Sequence, residues 1–446
     1  MTNPFVLDGS YRRHGRVVIA GSPLRLFRLS PAGCRVVEAI ERNEPLPTGH
    51  SKLTDRLVDA GAIHPVPTES AFTTADVTIV VPSYNSQSNM SPYVSEVIVV
   101  DDGSQPPLTM TPGRRTIRLP VNAGPAAARN AGLAEVTTTL VAFVDTDVDL
   151  DDRWLDALLP HFSDPRVALV APRVLSADGT TLIATYETAR SPLDVGPDGG
   201  RIASGSRVGY VPAAALVVRA AVLRAIGGFD ETMRSGEDVD MVWRLLEAGH
   251  RCRYEPSSIV HHRPRTSFSA WARQRVTYGR SAAVLDRKHP GAVAPLRVSG
   301  WSATVWTLVL ARRPIAAVAV AAGTTVALRR KLHDLPAQES LRLAGLGHLY
   351  AGRQVAGAIT RTWWPLALIC AVLLRRSRLP LFAAATVPPL LDWFGGQRPL
   401  DPVRYVALRF ADDIAYGTGV WIGVIEQRSV GALAPKFTNW PGRSAR

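Results

Sequence analysis

The chain has 446 residues, 46% hydrophobic and 20% charged, a composition that excludes a disordered or fibrous protein and suggests two or three domains. Cys34, Cys252 and Cys370 lie far apart with no CxxC spacing, which excludes a cysteine-rich zinc module or disulfide scaffold and fits a reducing compartment. The net charge of +13 is uneven: residues 263–446 hold 26 Lys and Arg against 8 Asp and Glu, whereas residues 1–262 hold 25 against 30.

Residues 1–66 read as a small unit of their own. The first twenty hold Arg12, Arg13, His14 and Arg16 with no apolar run behind them, so no secretory leader is expected. Strands at 16–20 and 24–29 are joined by the turn Gly21-Ser22-Pro23. Ser30 before Pro31 is an N-cap followed by proline at the first helical position, and a second helix over 51–60 stops at Gly61. Two strands and two helices predict either a winged-helix-like module or an extension that packs on the next domain.

A linker is expected over 65–74, and an α/β zone follows it. The short β-branched runs at 77–81, 97–100, 140–144 and 167–170 predict strands buried on both faces of a mostly parallel sheet. Helices are expected between them over 126–134 and 154–161. Ligands of doubly wound sheets bind beyond the carboxyl ends of the strands. From about residue 267 the chain is helical, arginine-rich and apolar. Its uncharged runs of 13 to 15 residues fall short of the ~18–20 a membrane span needs, and Arg312-Arg313, Arg329-Arg330-Lys331 and Arg375, Arg376 and Arg378 separate them. Short apolar helices with basic ends suit an anionic membrane surface better than nucleic acid, with an ordinary buried helical domain as the alternative.

The chemistry is expected at the strand ends. Pro82-Ser83-Tyr84-Asn85 follows the first strand, Asp101-Asp102-Gly103-Ser104 the second and Asp145-Thr146-Asp147 the third. Carboxylates gathered on one edge repel one another unless a cation compensates, and an Asp-x-Asp pair offers oxygens to Mg²⁺ or Mn²⁺. Such acids are also ordinary helix caps. Gly124-Pro125 opens a helix of small residues that lets a ligand approach closely, and Arg129 on it can donate to phosphate oxygens or simply pack. Glu237, Asp238 and Asp240 open another helix, as caps or with one of them as a general base. The pair His261-His262 ends a strand-like stretch, where an imidazole can complete a metal shell.

The succession VTIVVPSYN, EVIVVDDGS, NAGPAAARNAGL, FVDTDV, GGFDE, SGEDVDMVWRLLEAGH and YEPSSIVHH resembles the family 2 glycosyltransferases of GT-A fold over about 75–265. That resemblance implies a nucleotide-sugar pocket lined by Pro82, Tyr84, Asn85, Asp101, Asp102, Arg129 and Glu237. It also implies a divalent metal on Asp145, Asp147 and His262, and Asp238 as the base of an inverting displacement. The processive members carry Q-x-x-R-W; the nearest counterpart, Trp271-Ala272-Arg273-Gln274-Arg275-Val276, lacks the last tryptophan. Residues 1–66, with LRLFRLSPAG and LTDRLVDAGAIHP, resemble PqqD-like peptide-binding modules. The combination, with residues 267–446 as a basic apolar tail, is similar to the mycofactocin-system glycosyltransferases of actinobacteria. This implies UDP-glucose as donor, a peptide-derived redox cofactor precursor as acceptor, a β-1,4-glucan product and a place on the cytoplasmic face of the membrane. A lipid-linked cell-surface glycan is the alternative acceptor.

Overall fold

A computed structural model describes residues 3–86, 96–109 and 113–438. The chain divides into two compact units, residues 1–180 with 190–264, and residues 181–189 with 265–446.

The first unit opens with β1 (Phe5–Leu7), β2 (Arg12–His14), β3 (Val17–Ala20), β4 (Arg25–Arg28), α1 (Pro31–Glu41), α2 (Ser51–Asp59) and β5 (Ile63–Pro65). Strands β2, β3 and β4 form an antiparallel sheet, and β1 pairs with β5. The cap at Ser30 forms as its sequence requires, the hydroxyl accepting from Gly33 N–H at 3.1 Å with Pro31 beginning the helix. Gly61 ends the second helix at φ +69°, a left-handed backbone that favours glycine. These elements share one core, including Val18, Phe27, Val37, Ile40, Leu57 and Ile63. Ion pairs tie them to the rest of the unit: Asp8 accepts from Arg207 at 2.7 Å, and Arg251 reaches Asp59 at 2.7 Å.

The sheet beyond is built from β6 (Val77–Ser83), β7 (Glu96–Asp101), β8 (Arg115–Arg118), β9 (Leu140–Val144), β10 (Val148–Leu150), β11 (Val167–Ser176), β12 (Gly200–Arg201), β13 (Ala215–Arg219) and β14 (Arg251–His262). Its order is β10-β14-β11-β13-β9-β6-β7-β8, with β12 beside β14. Strands β8, β7, β6 and β9 are parallel, and β11 and β14 run in the same direction; β13 enters antiparallel between β9 and β11 and, with β10 and β12, makes an otherwise parallel sheet mixed. Helix α3 (Pro125–Glu135) carries the chain from β8 to β9 on the other side of β6. The carboxyl ends of β6 and β9 therefore flank a topological switch point. The continuous apolar runs of β6, β7 and β9 are buried because both sheet faces are covered. The helix expected over 154–161 is instead a run of turns leading to a 3₁₀ segment, Leu159–Ser163. Pro160 lacks the N–H that an α-helix would need there.

The second unit comprises α4 (Leu182–Arg190), which begins within residues 181–189, and the helices after residue 265. Two short helices of the first unit precede them, α5 (Ala220–Ala225) and α6 (Glu237–Glu247). Then come α7 (Phe268–Lys288), β15 (Arg297–Val298), α8 (Gly300–Leu310), α9 (Pro314–Lys331), α10 (Ala337–Gly357), α11 (Trp364–Leu373), α12 (Arg378–Gly395), α13 (Pro402–Gln427) and β16 (Lys436–Phe437). Helices α7 and α13 touch backbone to backbone: a Cβ on Gly279 would strike the Tyr416 carbonyl, and one on Gly419 the Val276 carbonyl. Between them lies a buried polar cluster. Arg275 donates to Asp412 at 2.9 Å and to Glu187, Trp271 Nε1 donates to Glu187 at 2.8 Å, and Tyr186 O–H donates to Asp412 at 3.0 Å. Burial raises Glu187 above its ordinary carboxylate value, with Arg275 opposing.

Among the described residues no single helix is long and apolar enough to cross a membrane; the pair Ala337–Thr362 and Trp364–Leu373 passes only jointly and is bent by 89°. Large apolar side chains on α9 to α12 nonetheless face outward, including Ile315 (87% exposed), Leu349, Ile369, Leu373, Leu379 and Phe382.

Candidate active site

The loops after β6 and β7 lock together. Asn85, at φ +52°, donates its N–H to Ser104 Oγ at 2.8 Å, and its side-chain oxygen accepts from Gln105 N–H at 3.0 Å. Asp101 is buried and accepts from Ser104 N–H (2.8 Å), Leu108 N–H (3.2 Å) and Arg118 Nη1 (3.0 Å). Burial works to raise it, but the Ser104 hydrogen bonds, the Leu108 amide and the Arg118 charge hold it below the usual carboxylate range. Asp102 accepts from Ala123 N–H (2.7 Å) and Gly124 N–H (2.8 Å), fixing the chain just ahead of α3. Gly124 has φ +100°, and a Cβ there would sit 2.7 Å from Arg234 Nη1, so glycine is required. Both carboxylates thus hold the loops at these strand ends, while Pro82 is half-buried and Tyr84 is exposed.

Arg129 lies in α3, on the buried side that faces the sheet. Rather than being left open for phosphate, it is held by carboxylates: Nη1 donates to Glu237 at 2.7 Å and Nη2 to Asp145 at 2.8 Å. Its guanidinium stands 5.5 Å from the Phe229 ring centre, and its buried Nε has no hydrogen-bond partner among the described residues. Burial opposes its charge, but Asp145, Glu237 and Asp238 outweigh this and keep it firmly protonated. Glu237, expected to line the nucleotide-sugar pocket, is paired with this arginine as its buried counter-charge.

Asp145 follows β9 and donates its N–H to the Ala214 carbonyl at 2.9 Å. Desolvation raises its carboxyl above the ordinary value, Arg129 opposes the rise and nearby Asp147 adds to it. Asp147 lies 3.3 Å from Nε2 of His262, the last residue of β14, which pairs there with Val148 of β10. Among the described residues no group of three His, Cys, Asp or Glu side chains is gathered round one point. The three expected ligands are divided instead, Asp145 toward Arg129 and Asp147 toward His262. Two carboxylates and an imidazole remain a donor set suited to Mg²⁺ or Mn²⁺, and the mutual repulsion of Asp145 and Asp147 is what a cation would relieve.

Asp238 occupies the first turn of α6, whose Gly236 cap takes φ +78°. One carboxylate oxygen accepts from Ala213 N–H at 3.0 Å, the other from Val239 N–H at 2.8 Å. Desolvation and the Glu237 charge push it up to about 6, with the two amides and Arg129 pulling the other way. Asp240 is a structural neighbour. It pairs with Arg244 at 2.7 Å, which donates to the Ile226 and Gly228 carbonyls and so steadies the Gly-Gly-Phe-Asp turn. Sequence reasoning missed the Ala213-Ala214 segment, which bonds Asp238 on one side and Asp145 on the other. It also missed Asn130, which fixes Phe229 beneath Arg129 by exchanging hydrogen bonds with its backbone. The Asn following Arg129 was a readable signal for the latter; the alanines carried none.

The sequence family described as Glycosyl transferase family 2 matches residues 78–223. The chain is 41% identical over 447 residues, 95% of each chain, to the pre-mycofactocin glycosyltransferase of Mycobacterium tuberculosis. Over 212 residues it is 30% identical to the succinoglycan biosynthesis protein ExoO of Rhizobium meliloti, covering 42% of this chain and 60% of that one. A mannosyltransferase from Pyrobaculum calidifontis, solved with GDP-Man and Mn²⁺, is 17% identical with a TM-score of 0.36, covering 68% of this chain and 93% of that one. With near full-length likeness on both sides and an α/β core that brings the acidic motifs to one sheet edge, the chain belongs to the pre-mycofactocin glycosyltransferases of glycosyltransferase family 2.

Proposed function

We propose that the chain transfers glucose from UDP-glucose to a hydroxyl of the peptide-derived mycofactocin precursor, with inversion, and extends the product as a β-1,4-linked chain. The near full-length likeness to a pre-mycofactocin glycosyltransferase carries the acceptor. For the chemistry, the carrying observation is Asp238, held by two backbone amides and raised to about 6. A base with that value is mostly ionised at neutral pH yet basic enough to take a hydroxyl proton. In the step proposed, the acceptor oxygen forms a bond to the anomeric carbon, its proton passes to Asp238, and the bond from that carbon to the diphosphate breaks. Tyr84, Pro82 and the loops fixed by Asn85, Asp101 and Asp102 bind the nucleotide. Arg129 and Glu237 hold the donor side in place, and Asp145, Asp147 and His262 hold Mg²⁺ or Mn²⁺. That ion stabilises the charge that develops on the departing diphosphate.

The outward apolar residues of α9 to α12 and the basic clusters between them favour attachment of the second unit to an anionic membrane surface on the cytoplasmic side. The same observation favours a second reading, a lipid-linked glycan as acceptor. Mass spectrometry of the precursor after incubation with UDP-glucose and Mn²⁺ separates them. Stepwise hexose additions support the first reading, whereas UDP release confined to lipid-containing reactions supports the second.

A further inference from the structure

Arg129 stands between two groups that act at opposite ends of the displacement. One terminal nitrogen is on Asp145, an expected metal carboxylate, and the other is on Glu237, which adjoins Asp238. The arrangement is rigid: Arg129 is only 4% exposed, is stacked over Phe229, and Phe229 is itself fixed by Asn130. The backbone holds the two segments side by side as well, since Ala213 N–H donates to the Asp238 carboxylate and the adjacent Ala214 carbonyl accepts from the main-chain N–H of Asp145. A phosphate-binding arginine at a mouth would keep its terminal nitrogens open to solvent; here both are inside and carboxylate-bound. Glu237 and Asp145 are 92 residues apart in sequence, and Arg129 makes them one ionic unit.

We infer that Arg129 is a positioning residue that serves as the resident counter-cation of the site, holding Asp145 until a divalent ion takes it and setting the charge felt by Asp238 through Glu237. Without Arg129, Asp145 would stand near Asp147 with the ion pair that compensates it removed, and Glu237 would lose its counter-charge while buried beside Asp238. The charged groups acting on Asp238 are Glu237 on its own helix and Arg129 from α3. They have opposite sign, so their removal has opposite consequences. Loss of Arg129 removes the cation and makes Asp238 harder to ionise, while loss of the Glu237 charge makes it easier.

This inference rests on the reading of Asp238 as the base, and its test has one arm that does not. In the full chain, Mn²⁺ affinity is measured without donor by electron paramagnetic resonance titration, for the parent, Arg129→Gln and Arg129→Lys. A competing resident cation predicts that Arg129→Gln binds Mn²⁺ about 5-fold or more tightly, whereas Arg129→Lys stays near the parent. The second arm follows the acid limb of kcat/KM. Arg129→Gln is expected to move it up by about one pH unit or more, Glu237→Gln to move it down, and Arg129→Lys to restore it toward the parent. Unchanged or weaker Mn²⁺ binding in Arg129→Gln overturns the counter-cation role. Shifts of the same sign in Arg129→Gln and Glu237→Gln, with folding intact by circular dichroism, overturn the coupling to Asp238. Full activity in Asp238→Asn refutes the base assignment, and with it the second arm, while leaving the Mn²⁺ arm to stand or fall by itself.

Discussion

Replacing Arg275 by Met removes the only cation of the Glu187–Arg275–Asp412 cluster and leaves its shape nearly filled. Arg275 is 1% exposed, and its Nε and Nη2 serve both carboxylates. Trp271 and Tyr186 still donate one hydrogen bond each, but two buried carboxylates then face each other without compensation. Breaking a buried ion pair from one side costs about 3–5 kcal/mol. The loss has a definite pH dependence. Glu187 is already raised in the folded protein by burial, and without the opposing Arg275 charge it rises further, so the folded state binds more protons than the unfolded one above pH ~4. The deficit of Arg275→Met is therefore largest at neutral and alkaline pH and shrinks as pH falls toward the unfolded carboxylate value. Urea unfolding followed by circular dichroism at pH 8 and pH 5 reads both effects, and adding Asp412→Asn to the variant should recover part of the loss. A deficit under about 1 kcal/mol, or one equal at the two pH values, would refute the reading of Arg275 as the buried counter-charge of Glu187 and Asp412.

Three further outcomes follow from single features. The kcat/KM of the parent should fall about tenfold between pH 7 and pH 5, because Asp238, at about 6, becomes mostly protonated there; a flat profile to pH 5 counts against its elevation. Gly419→Ala drives a methyl group into the Val276 carbonyl and should destabilise by about 1–3 kcal/mol, whereas Gly323→Ala, with nothing within 4 Å, should gain about 0.5–1 kcal/mol. Thermal unfolding of the two variants checks the sign of each. Changing exposed Arg375 and Arg376 to Gln should weaken binding to phosphatidylglycerol vesicles by about 2 kcal/mol, roughly thirtyfold, in a sedimentation assay. Equal binding to neutral and anionic vesicles would remove the electrostatic part of the membrane proposal.

What was legible in the sequence is what local chemistry dictates. Ser30-Pro31 starts a helix and Gly61 ends one whatever surrounds them, and the apolar runs of β6, β7 and β9 can be satisfied only inside a covered sheet. The order of the acidic motifs likewise fixed the edge on which they meet. What escaped is long-range. The antiparallel insertion of β13 depends on pairing with β9 and β11, and nothing in Ala215–Arg219 states its direction. Arg129 looked like a phosphate donor because its partner Glu237 lies 108 residues away. Asp145, Asp147 and His262 read as one ligand set, and Asp147 does lie beside His262, but the Arg129 partner of Asp145 could not be read from the spacing of the acidic motifs. The polar core of the helical unit joins residues 187, 275 and 412, far beyond the reach of any periodicity.

Sugar transfer to the peptide-derived precursor is proposed to use Asp238 as base. Its most direct test is mass spectrometry of that precursor after incubation with UDP-glucose and Mn²⁺, using the parent, Asp238→Asn and Asp145→Ala. Successive hexose additions are expected from the parent and none from either variant, with both variants folded by circular dichroism. Transfer that persists undiminished in Asp238→Asn, or a precursor left unmodified while UDP-glucose is consumed, would contradict that proposal.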